Sequence, residues 1–169
     1  MVCFSYIRKK IGQYALIEFS GKKLDLQSFP YRKSASGCQY LADAILQSCV
    51  QMKKDRTIVI LTSADIYTNG MNYIFGLATY GSALISSARI DPGFWKPVPE
   101  ILQYASRGRL FFEKQYAKVL IHEVGHAVGL PHCKDWNCAM HYSNSPIELY
   151  EKGENYCKNC WAKFLLKFR

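Results

Sequence analysis

Long apolar runs are missing from this chain of 169 residues, and residues 58–61 are typical of the longest. A membrane-spanning helix needs about 20 consecutive apolar residues, so we expect none. The order that marks a secretory signal is also missing, because the basic cluster at residues 8–10 follows the first apolar residues instead of preceding them. We therefore expect a cytoplasmic protein.

Acidic residues are scarce: the sequence has 13 of them against 22 lysines and arginines, for a net charge of +9. Such an imbalance can favour nucleic acid or an acidic protein as a partner, although a solvated basic surface has the same composition. No basic run with interleaved aromatic residues forms a recognisable nucleic-acid module. We therefore do not expect nucleic acid or a membrane as a partner.

Hydrophobic periodicity predicts the order of helices and strands. Apolar residues recur at three- and four-residue steps from 38 to 52, which indicates a helix with Cys38 and Cys49 in the core. A second long helix is predicted to begin near Arg109, to bury Leu110 and to stop at Gly129. Strands are predicted at 14–19, 57–62, 74–80 and 83–89, and a loop at 29–37. We expect one α/β or α+β domain over residues 1–169.

Histidines are few as well, and three of the four lie in one motif. His122 and His126 are four residues apart, so on a helix both imidazoles leave the same face. Gly129 allows a sharp turn after which His132 can supply a third nitrogen. Three protein ligands with one open position are typical of catalytic zinc, and Glu123 is placed to take a proton from a water molecule there. The alternative is a core helix with incidental histidines.

Four of the seven cysteines crowd into the last quarter of the sequence: Cys133, Cys138, Cys157 and Cys160. Two short ligand pairs joined by a longer loop are typical of a closed four-cysteine zinc site. Such a site has no open position and stabilises a segment that lacks its own core. Two disulfide bridges are the alternative, although an odd number of cysteines argues against a disulfide framework.

These residues together resemble the archaemetzincins, a branch of the metzincin clan of zinc peptidases. The resemblance is strongest over residues 62–160 and rests on one extended pattern: His122-Glu123-x-x-His126-x-x-Gly129-x-x-His132-Cys133, then Cys138, Met140 and Cys157-x-x-Cys160. Sixteen residues separate Met140 from Cys157, about one fewer than the family pattern has, and a loop absorbs such a change easily. The first thirty residues match no part of the family pattern that we can place.

The resemblance implies a compact metzincin-like domain with a mixed sheet, an active-site helix and a zinc-stabilised C-terminal part. It implies two zinc ions, one catalytic and one structural, and a Met-turn at Met140 beneath the catalytic one. It also implies an edge strand that pairs with an extended peptide substrate, and we assign this strand to residues 83–89. By analogy with the astacin branch, Tyr142 is a candidate oxyanion donor, with His141 as its competitor. The alternative function is a non-catalytic zinc-stabilised module that binds nucleic acid or an acidic protein.

Overall fold

The computed structural model of the protein describes residues 23–49, 56–96 and 98–167, together with residues 9, 10 and 12. The predicted strand at 14–19 lies outside these ranges. The strands are β1 (Tyr31–Ser34), β2 (Gly37–Leu41), β3 (Ile58–Thr62), β4 (Asp65–Tyr67), β5 (Gly76–Thr79) and β6 (Ser82–Ser86). The helices are α1 (Ala42–Cys49), α2 (Pro99–Leu102), α3 (Gly108–Ala127), α4 (Pro146–Glu151) and α5 (Lys158–Leu166). Among the described helices, none has the length and apolar character needed to cross a membrane.

The strands form two small mixed sheets. In the first sheet β1 pairs antiparallel with β2, and β2 pairs parallel with β4. In the second sheet β6 lies in the middle, parallel to β3 on one side and antiparallel to β5 on the other. This mixed α/β architecture confirms the predicted fold class, with the predicted mixed sheet divided in two.

The position of β6 corrects one prediction, because the strand assigned to the sheet edge is an interior strand. All five residues of β6 are buried, and both of its neighbours are hydrogen-bonded to it. The two edges of this sheet are β3 and β5, and β5 is the shorter and more exposed of them. A continuous apolar run such as residues 83–85 is typical of a strand that is buried on both faces. This pattern favours an interior position for β6.

The region around Cys38 corrects a second prediction. Residues 37–41 form β2, so the first helix begins only at Ala42, and the predicted loop at 29–37 contains β1. Gly37 has φ +118, which permits the tight turn between the two strands. The spacing that indicated one long helix therefore runs across a strand and a helix. Cys38 is exposed, contrary to expectation, whereas Cys49 is buried as predicted.

Helix α3 is the centre of the larger core. It begins and ends close to the predicted positions, and every residue from 115 to 125 is buried. The helix packs against β5, β6 and α4, so it has no wide solvent-facing side, and polar residues such as Gln115 and Lys118 are buried in it. The prediction that Leu110 is buried is wrong. Leu110 lies in the first turn of α3, before this enclosed stretch, and is 58% exposed.

Leu120 and Leu110 provide a matched test of this core. Leu120→Ala should lower the free energy of unfolding by about 2–5 kcal/mol, because it leaves a cavity under the sheet. Leu110→Ala should change it by less than about 0.5 kcal/mol, because the side chain is exposed on the same helix. Denaturant unfolding at a fixed free zinc concentration measures both values, since bound metal adds to stability. Equal losses in the two variants would contradict the assigned core.

Candidate metal centres

The three histidines of the motif converge at the C-terminal end of α3. His122 and His126 lie one turn apart on the helix, and Gly129 has φ +89, which turns the chain back toward them. His132 follows this turn. One ring nitrogen from each of the three histidines lies within 4.8 Å of the others, and the Nε2 atoms of His122 and His126 are 3.1 Å apart.

Hydrogen bonds fix which nitrogens can bind a metal. The Nδ1–H of His122 donates to the carbonyl oxygen of Ala139 at 2.8 Å, and that of His126 donates to Leu130 at 2.7 Å. Both Nε2 atoms therefore direct lone pairs toward each other, an arrangement that a cation between them stabilises. Two nitrogens on one tetrahedral zinc, each at about 2.0–2.1 Å, are about 3.3 Å apart. The residues present fit zinc.

Burial keeps these imidazoles uncharged. It lowers the pKa of His122 well below its usual value, and the charges of Lys152 and His126 lower it further. Burial also lowers the pKa values of His126 and His132. Neutral imidazole is the form that binds metal, so the three histidines are in the metal-binding form near neutral pH. His122 is buried and His132 is exposed, which makes the His132 side the open side of the site.

Glu123 lies beside this cluster in a tightly packed position. Its side chain is buried against Gly76 at the start of β5, where an added Cβ would come within 2.6 Å of Glu123 Cγ. Only glycine leaves the carboxyl group this space, so Gly76 marks a close approach within a strand. Burial raises the pKa of Glu123 to about 8, while the charge of Lys152 opposes this shift.

One edge of β5 has backbone hydrogen-bonding groups that find no partner among the described residues. Ser86 N–H donates to the carbonyl oxygen of Phe75, and the antiparallel register then directs Leu77 and Thr79 toward β6 as well. The N–H and C=O groups of Gly76 and Ala78 therefore point to the opposite side. No described residue pairs with them there.

Met140 lies under the histidine cluster, packed against α3. A Cβ added at Gly125 would collide with Met140 Sδ and would come within 3.1 Å of Tyr156 Oη. Tyr156 Oη also donates to the carbonyl oxygen of Ile121. The small residue on α3 thus allows Met140, which is fully buried, to approach the helix between the first two histidines.

The four clustered cysteines form the second candidate centre. Their sulfur atoms all lie within 4.8 Å of one another, and none of the four is in a disulfide. Cys133 Sγ and Cys157 Sγ are 3.9 Å apart, close to the roughly 3.8 Å expected for two thiolates on one tetrahedral zinc. The N–H of Cys157 donates to Cys138 Sγ at 3.3 Å, and a donor from Cys160 lowers the pKa of Cys157. Both contacts favour thiolates, whereas burial raises the pKa values of Cys138 and Cys160.

Backbone hydrogen bonds connect the two centres through residues 138–141. The Ala139 carbonyl oxygen orients His122, and the Met140 carbonyl oxygen accepts the N–H of Cys133 at 2.9 Å. The His141 carbonyl oxygen accepts a bond from Lys152 Nζ at 2.8 Å. One short run of chain therefore positions a residue of the histidine cluster and a residue of the cysteine cluster.

Tyr142 and His141 differ in their relation to the histidine cluster. The Tyr142 ring lies 5.0 Å from the ring of His132, and its side chain is 39% exposed. The His141 ring instead packs against Trp136, and its Nδ1–H donates to the Tyr142 carbonyl oxygen at 2.7 Å. Of the two candidate oxyanion donors, Tyr142 is the one packed on a histidine of the motif.

Sequence reasoning missed two residues of this region. Gly76 carried a usable signal, because a glycine inside a strand often marks a close approach of another group. Lys152 carried none: a single lysine between two cysteine pairs has no spacing or motif that distinguishes it from a surface lysine. Its burial follows from the way the chain folds around the cysteine cluster.

The sequence profile described as Peptidase family M54 matches residues 25–166. The chain is 34% identical to the archaemetzincin of Pyrococcus furiosus over 145 residues, which cover 83% of this chain and 71% of that protein. It is 36% identical to the archaemetzincin of Pyrococcus horikoshii, with 83% and 73% covered. Its fold is similar to the crystal structure of an archaemetzincin from Methanopyrus kandleri, with a TM-score of 0.69, 29% identity, and 96% and 84% of the two chains covered.

The cysteine cluster gives a direct prediction for metal content. We expect two zinc ions per chain in protein purified without added metal, and one in Cys160→Ser, because a four-ligand structural site tolerates the loss of a thiolate poorly. The variant should also melt at a lower temperature, since metal binding and folding of the C-terminal part are coupled. Elemental analysis and thermal unfolding measure both effects. The control is Cys38→Ser, which changes an exposed cysteine outside the cluster and should keep both ions. Unchanged zinc content in Cys160→Ser would contradict the four-cysteine zinc site.

Proposed function

The chain belongs to peptidase family M54, the archaemetzincins, and is a zinc metallopeptidase; from this premise we propose that it hydrolyses peptide bonds at the centre formed by His122, His126 and His132, with Glu123 as the general base. The observation that carries this proposal is the pair of facing Nε2 atoms, each with its Nδ1 hydrogen committed to a carbonyl oxygen. Such a pair is built to share a cation.

Bound zinc supplies a Lewis acid for the substrate carbonyl and lowers the pKa of a water molecule to about 7. His122, His126 and His132 would hold the zinc ion, and the exposed His132 side would give water and substrate access to it. Glu123 follows a ligand directly and is held in place by Gly76, so its carboxylate is positioned to accept a proton from that water. After accepting that proton, Glu123 would return it to the leaving nitrogen.

The substrate is proposed to bind as an extended strand along β5. The backbone groups of Gly76 and Ala78 face away from β6 and provide both donors and acceptors for an added strand. Because Gly76 also touches Glu123, a peptide paired with this residue lies close to the general base. The corrected edge strand therefore serves the role that the resemblance to metzincins implies.

The cysteine cluster is proposed to hold the second zinc ion, in a structural role. Four sulfur ligands close the coordination sphere, which leaves no position for water or substrate. The cluster joins the segment after His132 to the start of α5, so it stabilises the C-terminal part next to the histidines. We further propose that residues 1–169 form one peptidase domain; the cytoplasmic location stays a prediction.

Glu123→Ala tests the mechanism directly. We expect the variant to lose hydrolysis of a peptide library by about 10²–10⁴-fold, the usual contribution of a general base, while it keeps two zinc ions and its fold. Glu113→Ala is the matched control, because Glu113 is also buried on α3 but pairs with Arg109 away from the histidines. Turnover in Glu123→Ala at the wild-type rate would exclude this base.

Tyr142→Phe tests the proposed oxyanion donor. Removal of one such hydroxyl should slow turnover by an amount equivalent to about 2.7–4 kcal/mol, with zinc content unchanged, because the ring still packs on His132. His141→Ala should leave the rate close to wild type, since that ring faces Trp136. Steady-state kinetics with zinc analysis measure both variants. A wild-type rate in Tyr142→Phe would assign Tyr142 to packing alone.

A further inference from the structure

Two lysines are buried next to α4, and hydrolysis as proposed uses neither. Lys118 is 3% exposed and Lys152 is 4% exposed. A buried ammonium group is costly unless its hydrogens have acceptors. Lys118 Nζ donates to the carbonyl oxygens of Leu149 and Tyr150 at the end of α4, which accounts for its position. Lys152 instead donates to the carbonyl oxygen of His141, outside its own helix.

Lys152 lies between the two candidate metal centres. Its charge acts on Glu123 and on all three histidines of the first centre. The charge of Cys138, from the second centre, acts on Lys152 in turn. Burial lowers the pKa of Lys152 to about 8, and Glu123 opposes this shift. Lys118 has no direct relation to either centre: the charges that act on it are those of Glu154 and Lys114, and its own charge acts on Lys152.

The backbone around Lys152 is fixed from both sides. The N–H of Lys152 donates to the carbonyl oxygen of Glu148 in α4, and the N–H of Gly153 donates to the carbonyl oxygen of Trp136. A Cβ at Gly153 would collide with the backbone of Asn137, so the chain is packed here against the loop between the first two cysteines. The Lys152 side chain therefore extends from a rigid base, which makes it suited to hold another segment in place.

The segment that Lys152 contacts, at His141, lies next to His132, the exposed histidine of the motif. His141 forms an isolated bridge with Cys133, the residue directly after His132, and the Met140 carbonyl oxygen accepts the Cys133 N–H. Tyr142, directly after His141, packs its ring on His132. His132 is the only motif histidine whose ring makes no hydrogen bond within the described residues, so its placement depends on these neighbours.

We propose that Lys152 is a positioning residue for His132: its ammonium holds the His141 carbonyl oxygen, and through it the Cys133 backbone and the Tyr142 ring that together place the third zinc ligand. The inference rests on the proposed function of the histidine centre. Partners that orient a metal ligand typically contribute about 10- to 100-fold in metal affinity or activity, and Lys152 contributes by this route without touching the metal or the substrate.

Three variants test the proposal in the full-length protein. Lys152→Met keeps the length of the side chain but removes its donors and charge, and Lys152→Arg keeps both. Lys118→Met is the matched control, because it removes an equally buried lysine beside the same helix. For each variant, chelator competition gives the zinc affinity of the two centres separately, and steady-state kinetics give kcat and KM.

We expect Lys152→Met to weaken zinc binding at the histidine centre by about 10- to 100-fold and to lower kcat at saturating zinc by at least about tenfold, with KM within about threefold. The cysteine centre should lose less affinity than the histidine centre, because only the Cys133 backbone among its four residues depends on Lys152. Lys152→Arg should recover most of the losses in zinc affinity and kcat. Lys118→Met should lower the melting temperature but change neither zinc affinity nor kcat.

Several results would overturn the proposal. Wild-type zinc affinity in Lys152→Met would show that His132 needs no such anchor. Tighter zinc binding would show that Lys152 acts only as a positive charge that opposes the metal. Equal losses in Lys118→Met would reduce its role to general stability. If the wild type cleaves no peptide, the proposed function fails, and the zinc affinities still decide the role of Lys152.

Discussion

The backbone run from Cys138 to His141 is the constraint on which both centres depend. It includes Cys138 of the cysteine cluster, orients His122 through the Ala139 carbonyl oxygen, and bonds to Cys133 through the Met140 carbonyl oxygen. Its own position is fixed by Asn155, which accepts the N–H of Ala139 at 2.8 Å. Because both clusters are bonded to this one run, a displacement of the run would move residues of both.

This arrangement explains why so short a C-terminal part can support a catalytic site. The described residues after His132 form two short helices, α4 and α5, and their buried side chains, such as Met140, Leu149 and Phe164, pack into the core around α3. A metal held by four thiolates would stabilise this part further, since metal binding and folding share the same free energy. Hydrogen bonds connect this part to the histidine centre. Two glycines then allow close packing: Gly76 leaves space for Glu123, and Gly125 leaves space for Met140.

The two predicted groups of histidines and cysteines do come together in the structure, because helical periodicity and metal geometry are local rules. His122, His126 and Gly129 are related by one helix and its end, and the cysteine pairs by short loops. The strand at the sheet edge was predicted wrongly, since edge position depends on which strands pair across the whole fold and not on one segment. The Cys38 region was predicted wrongly because apolar spacing continued across a turn. Lys152 could not be found at all, because its burial results from the packing of distant segments.

Anomalous diffraction at the zinc absorption edge tests the central claim most directly, because it locates each metal independently of any activity. Crystals of the full chain should give two peaks per molecule. One should lie at about 2.0–2.1 Å from a nitrogen of each of His122, His126 and His132, and the other at about 2.3 Å from four sulfur atoms. A single peak, or a disulfide among Cys133, Cys138, Cys157 and Cys160, would contradict the account of two coupled zinc centres.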